Sequence, residues 1–141
     1  MASGIYNKFK YECFAGRHDM EDDSPSDEIK VALMDDNHVF NAAHNVWAEV
    51  SANELAAAGN YVAGGEALVS QSITQGATTK FDAEDTVWAN ATFTAYHAVI
   101  YNATTNELIA SIDLGGAQSP SGVNFTIQWN ASGIMTLATK A

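Results

Sequence analysis

Four histidines, one cysteine and two groups of carboxylates are the residues of this chain whose types could do chemistry. Imidazole titrates near neutral pH and ligates metals, so His18, His38, His44 and His97 are weighed first. His38 and His44 are close enough in sequence to meet, yet a zinc site would still lack its other ligands. His97 sits in an apolar run beside Phe93 and Val99, where a buried, hydrogen-bonded imidazole is the expected reading. His18 is expected to face solvent. Cys13 carries no activating signature and reads as a small apolar side chain. Asp19, Glu21, Asp22, Asp23, Asp27 and Glu28 crowd residues 19–28, and clustered carboxylates can hold calcium. The D-x-[DN]-x-[DN]-G spacing of an EF-hand loop is absent, so a solvated linker is the plainer reading. Asp82, Glu84 and Asp85 likewise read as a turn between strands rather than as a calcium site.

Enzyme constellations are missing from the sequence. Gly59-Asn-Tyr-Val-Ala-Gly64 is followed by Gly65, where a phosphate-binding loop needs lysine. No G-x-S-x-G nucleophile elbow and no H-E-x-x-H zinc motif occurs. Trp88 and Trp129 have apolar neighbours and suit core packing better than sugar stacking. The expectation is therefore a protein that is not an enzyme, with no catalytic residue, no metal and no cofactor.

Charge narrows the partners. The 141 residues hold 6 Lys+Arg against 17 Asp+Glu, a formal charge of −11. Displacing counterions from phosphate needs cations, so nucleic acid and anionic membrane surfaces are disfavoured. No run approaches the length of a membrane-spanning helix, and residues 1–20 show no apolar core of a secretory signal. Without a secretory route the N-x-S/T triplets at Asn90, Asn102, Asn124 and Asn130 read as turn and strand-surface residues, not glycan acceptors. A single cysteine forms no internal disulfide, which suits a reducing compartment. Residues 86–141 carry only Glu107, Asp113 and Lys140, yet are rich in Thr, Asn, Ser and Gln. Charge is depleted at interface cores, so this uncharged polar surface points to an assembly component.

The elements that must position these residues are mostly strands. In 5–13, Ile5, Phe9, Tyr11 and Cys13 alternate with Lys8, Lys10 and Glu12, which predicts a strand; Ile5, Phe9 and Cys13 also fit helical spacing. Residues 29–34 alternate as a strand and end at Asp35-Asp36-Asn37. Residues 38–58 are the one helix-like region, with capping-box spacing in Ser51-Ala-Asn-Glu54. Residues 91–101 form the longest strand. Phe93, His97, Val99 and Tyr101 line one face, Tyr96 and Ile100 the other, so both faces should be covered. A polar loop at 102–106 joins this strand to an alternating run at 108–113, a hairpin. Gly115-Gly116 through Gly122 reads as a longer turn. Val123, Phe125, Ile127 and Trp129 then alternate with polar residues, and 134–138 closes the chain. The fold class expected is all-β: an antiparallel sandwich or barrel of seven or eight strands, with one short helical segment and an N-terminal arm. Residues 1–28 form the arm and acidic linker, and 29–141 the β-sandwich domain.

Four stretches carry a resemblance: 29–68 (IKVALMDDNHVFNAAHNVWAEVSANELAAAGNYVAGGEAL), 80–102 (KFDAEDTVWANATFTAYHAVIYN), 108–116 (LIASIDLGG) and 125–138 (FTIQWNASGIMTLA). Together they resemble a family of small structural proteins of tailed bacteriophages. The resemblance implies a virion component without catalytic residues, assembled in the host cytoplasm. Within that family a capsid decoration or cement protein is expected, bound to the major capsid protein and to itself as a trimer or dimer. A neck or tail component, or a receptor- or carbohydrate-binding module at the tail tip, is the alternative. Ile5, Phe9 and Tyr11 on the alternating arm are the residues expected to meet a partner.

Overall fold

A computed structural model describes residues 3–23 and 25–140. Met1, Ala2, Ser24 and Ala141, which fall within the expected arm and domain, lie outside the described residues. The centre of the fold is one long, bent β-hairpin. Ala95–Asn102 (β7) pairs antiparallel with Glu107–Gln118 (β8) across the turn 103–106. The strands on either side continue the same ladder: Thr86–Thr92 (β6) pairs with Ser121–Ile127 (β9). Both arms turn a corner together, at Phe93–Thr94 on one and Ser119–Pro120 on the other. The Thr94 and Ser119 hydroxyls bridge that corner at 2.9 Å. Pro120 sits there because it brings no N–H to waste in a ladder.

The corner carries the chain from one layer to another. β7 and β8 belong to a five-stranded sheet that also contains Gly4–Ile5 (β1), Ile29–Met34 (β2) and Glu66–Ala67 (β3), in the order β1-β8-β7-β2-β3. β6 and β9 form a two-stranded sheet. Ser72–Thr74 (β4), Thr78–Asp82 (β5) and Met135–Ala138 (β10) form a third, ordered β10-β5-β4. Every pairing is antiparallel, and the architecture is the expected all-β sandwich. Among the described residues it contains ten strands rather than seven or eight, because two-residue ladders such as β1 and β3 leave no periodic trace in sequence.

Side-chain alternation explains the layering. Ile29, Val31 and Leu33 of β2 and Ala98 and Ile100 of β7 face the main core, where they meet Phe81, Trp88, Ala91 and Ile127 of the smaller sheets. Ala32, Met34, Val99, Tyr101 and Leu108 face the other way, into a second cluster with Tyr6, Val50 and Trp47. The five-stranded sheet is thus buried on both faces, as the apolar run predicted. His97 shares a face with Val99 and Tyr101 as expected. Phe93 does not, because the corner turns it into the main core, where its ring meets Tyr61 and Phe125.

Three local expectations change. Residues 38–58 are helical only in two single 3₁₀ turns, Trp47–Glu49 and Ser51–Asn53, the second starting at Ser51 where the spacing placed a short helical turn; Trp47 and Val50 join the second cluster. Glu49, not Ser51, does the capping: its Oε2 accepts from the Asn45 and Val46 amides at 2.6 and 2.9 Å. Gly115 and Gly116 lie inside β8 rather than in a turn, at φ +80 and +121, conformations open to glycine alone at low cost.

The glycine-rich loop 59–65, which follows the two 3₁₀ turns, is fixed by close approach. A Cβ on Gly59 would lie 1.7 Å from the Thr92 carbonyl oxygen, and one on Gly65 would lie 2.0 Å from that of Val31. Glu54 holds this loop, accepting from the Tyr61 hydroxyl at 2.7 Å and the Gly64 amide at 2.5 Å. Tyr61 in turn accepts from the Leu33 amide of β2, and Tyr101 donates to the Gly64 carbonyl. No helix among the described residues is long and apolar enough to cross a membrane.

Candidate functional site

The N-terminal arm is folded onto its own body. β1 pairs with β8 through Gly4–Ser111 and Ile5–Ala110. Residues Asn7–Ala15 form a helix (α1), correcting the strand expected over 5–13. Of the two periodicities present, the helical one prevails because it buries Phe9 and Glu12 together and ends in a good cap. Gly16 is left-handed (φ +66), and the Gly16 and Arg17 amides return to the Cys13 and Glu12 carbonyls. The three residues expected to meet a partner are consequently dispersed. Ile5 is half-buried in β1, Phe9 is in the main core, and only Tyr11 is open, at 66% exposure.

The inward face of α1 carries an unexpected charge. Glu12 is buried, and so is the side chain of His18, which was expected in solvent. His18 Nε2 lies 2.9 Å from Glu12 and 3.7 Å from Glu107 at the start of β8. Lys8, one helical turn before Glu12, bonds Glu107 at 2.6 Å and approaches Glu12 at 3.5 Å. Burial pushes the Glu107 carboxyl up, but the Lys8 ammonium together with the neighbouring Glu12 and His18 holds the group below its ordinary value. The same bond raises Lys8.

Glu12, His18 and Glu107 place three ligand atoms within 4.8 Å of one another, the spacing of a metal site. The outer side of the imidazole decides what the cluster does. Asn102, fully buried at the end of β7, accepts from the Thr104 and Thr105 amides through Oδ1. Its amide orientation is therefore fixed, and Nδ2 donates to Asp27 at 2.7 Å and to His18 Nδ1 at 3.0 Å. Nδ1 accepts, so the proton sits on Nε2 and points at Glu12. A metal needs the Nε2 lone pair, which this network occupies, and Lys8 already supplies the cation. The cluster fastens α1 and the acidic loop to the β7–β8 turn.

The acidic stretch is correspondingly more than a linker. Asp27 accepts from the Asp19 amide and from Asn102, which ties Asp19 to Asp27 and both to the end of β7, and Met20 enters the main core. Asp82, Glu84 and Asp85 diverge: they bond the Ala83 amide, the Ser70 hydroxyl and the Trp129 amide, respectively. That is the behaviour of turn residues.

His38 meets His97. The two rings lie 5.3 Å apart, and His38 Nε2 bonds the Ser111 hydroxyl at 2.9 Å. A serine–histidine contact is the geometry of an activated nucleophile. Here His38, Ser111 and His97 are all buried, so no substrate reaches the oxygen. Burial, then the neighbouring His97, lowers the His38 pKa to about 4.

Two features were hidden from sequence reasoning. The pairing of Glu12 with His18 is an i, i+6 contact across a helix end, and a charged residue on an alternating segment reads as outward-facing. The other is an apolar groove of about 450 Å³ between α1 and the β5–β10 pair, assembled from residues far apart in the chain. Comparison of the chain with protein-family models, with curated proteins and with solved structures found no match.

Proposed function

We propose that this chain is a structural protein of a virus particle, most specifically a capsid decoration protein of a tailed bacteriophage that binds the outer shell and other copies of itself. The observation that carries an assembly role is the outer face of β6 and β9. Val87, Ala89, Asn124 and Thr126 point outward there, with Val123 beside them. Val87 is 44% and Val123 55% exposed, and no residue of either strand is charged. A chain of net charge −11 that keeps one whole sheet face uncharged is built to meet protein there. The resemblance of residues 29–138 to small virion proteins supplies the particle. The reading includes no catalysis; among the described residues the His38–Ser111 contact is buried, which is compatible with it.

Quantitative mass spectrometry of purified virions tests it. A copy number near that of the major capsid protein, or a simple fraction of it, is the expected result. About a dozen copies or fewer would move the chain to the neck or tail, whose rings have low-order symmetry. Absence from the particle would overturn the proposal.

A further inference from the structure

The groove beside α1 is apolar, open and unusual in its charge. Its floor is the inner face of the three-stranded sheet, where Ile73, Phe81 and Met135 align across strands, with Leu137 next to them. Its wall is the helix, through Phe9 and Phe14. The helix seals only one end, where Phe9 and Phe81 are buried. At the open end Phe14 is 84% and Leu137 61% exposed. Large apolar side chains this bare at the mouth of an apolar groove mark a binding surface.

Charge decides what it binds. Asp+Glu outnumber Lys+Arg by 17 to 6, yet no carboxylate lines the groove among the described residues. Lys80 alternates with Phe81, so its side chain turns to the other face of the sheet, to Asp82 and the Ala131 carbonyl, and Lys10, exposed on α1, is the cation at the groove. The groove therefore favours an apolar group carrying negative charge. A free amphiphile would fill the floor and leave Phe14 and Leu137 wet. A polypeptide segment covers both. A second copy of this chain is the competing occupant, and self-association of the full chain that Lys10→Glu and Phe14→Ser abolish would assign the groove to it and overturn the inference.

We infer that the α1 groove is a docking site for a segment of a different protein that presents apolar side chains flanked by carboxylates. In the particle reading this partner is a shell protein, and that part of the inference rests on the proposal above. Phe14 and Leu137 are the apolar anchors, and Lys10 pairs with the segment's carboxylate.

Two measurements on the full chain test this, with Phe14→Ser, Leu137→Ser and Lys10→Glu as variants and Val39→Ser, exposed elsewhere, as control. All four positions are exposed, so each variant should melt with the wild type. The first measurement is fluorescence titration with anilinonaphthalene sulfonate, an apolar probe with one negative charge, and with uncharged Nile red. Wild type and Val39→Ser should bind both. Phe14→Ser and Leu137→Ser should lose about tenfold in affinity for both, the scale of a hot-spot truncation. Lys10→Glu should lose the sulfonate and keep Nile red. Equal binding by all variants would overturn the inference. So would recovery of a stoichiometric fatty acid by organic extraction of the purified protein, which would assign the groove to a free amphiphile.

The second measurement adds each protein to particles assembled without it. Reduced occupancy by the three groove variants alone supports the inference. Equal occupancy by all proteins would overturn it while leaving the particle reading intact. If no protein binds, wild type included, but the dye order holds, the particle reading fails and the groove stands.

Discussion

Replacing Asn102 with alanine would open the network that holds α1, the acidic loop and the β7–β8 turn together. The side chain makes four hydrogen bonds and is fully buried. The Thr104 and Thr105 amides belong to exposed residues and can turn to water, so their loss costs little. The other two bonds cannot be replaced so easily. The Asp27 contact is charge-assisted and contributes about 2 kcal/mol, and His18 Nδ1 would lose its donor inside the protein at a cost of about 1 kcal/mol. The sum is about 3 kcal/mol, which lowers the melting temperature by roughly 10 °C for a chain of this length. Calorimetry at neutral pH gives the loss directly. A loss below about 1 kcal/mol would refute the reasoning, since buried partners would then have been dispensable. Nitrogen-15 shifts of the imidazole supply an independent check: His18 should carry its proton on Nε2. A wild-type Nδ1–H tautomer would sink the account and return the cluster to consideration as a metal site.

Two further outcomes follow from the geometry. Gly65→Ala should destabilise the fold by more than about 2 kcal/mol in denaturant titration, because its Cβ would run into the Val31 carbonyl and its φ is +75; a neutral result would mean the loop can move away from β2. His38 should make the protein acid-sensitive well above the carboxylate range. Above pH 6.5 it is neutral folded and unfolded. Between 6.5 and about 4 the unfolded chain takes up a proton that the folded chain refuses, so stability falls as pH falls. His97, Asp35 and His44 are the titratable groups around it. Melting temperature followed from pH 7 to pH 4 should lose that slope in His38→Gln, and an unchanged slope would assign the effect elsewhere.

The parts of the fold legible in the sequence are those where one strand face meets one environment. The alternation of 29–34 and the hairpin around 102–106 read directly, because side-chain period and burial coincide there. The long apolar run at 91–101 also read as covered on both faces. Its corner at Phe93–Thr94 did not, since a strand that changes layers needs neither glycine nor proline to do so. Gly115–Gly116 misled in the opposite sense, looking like a turn while extending β8. The helix at 7–15 was obscured because Glu12 points inward. Its burial depends on Lys8, His18 and Asn102, and only the last of these is outside the N-terminal segment. The groove was not legible at all: α1, the β4–β5 pair and β10 are distant in sequence, and Phe14 and Leu137 are ordinary apolar residues until the fold brings them to one groove.

The bent hairpin also bears on how the chain finds this structure. β6, β7, β8 and β9 close from a single four-residue tip at 103–106. Once β7 and β8 have paired, the next pairs of β6 and β9 are already neighbours, so each rung adds little new loop entropy. A sandwich ordinarily folds slowly because its strands pair across long separations. Here the β7–β8 pair of the large sheet and the β6–β9 sheet can zip outward from one nucleus. Substitutions at the tip, such as at Asn106 with its positive φ, should slow refolding, whereas changes in β10 should act mainly on the unfolding rate.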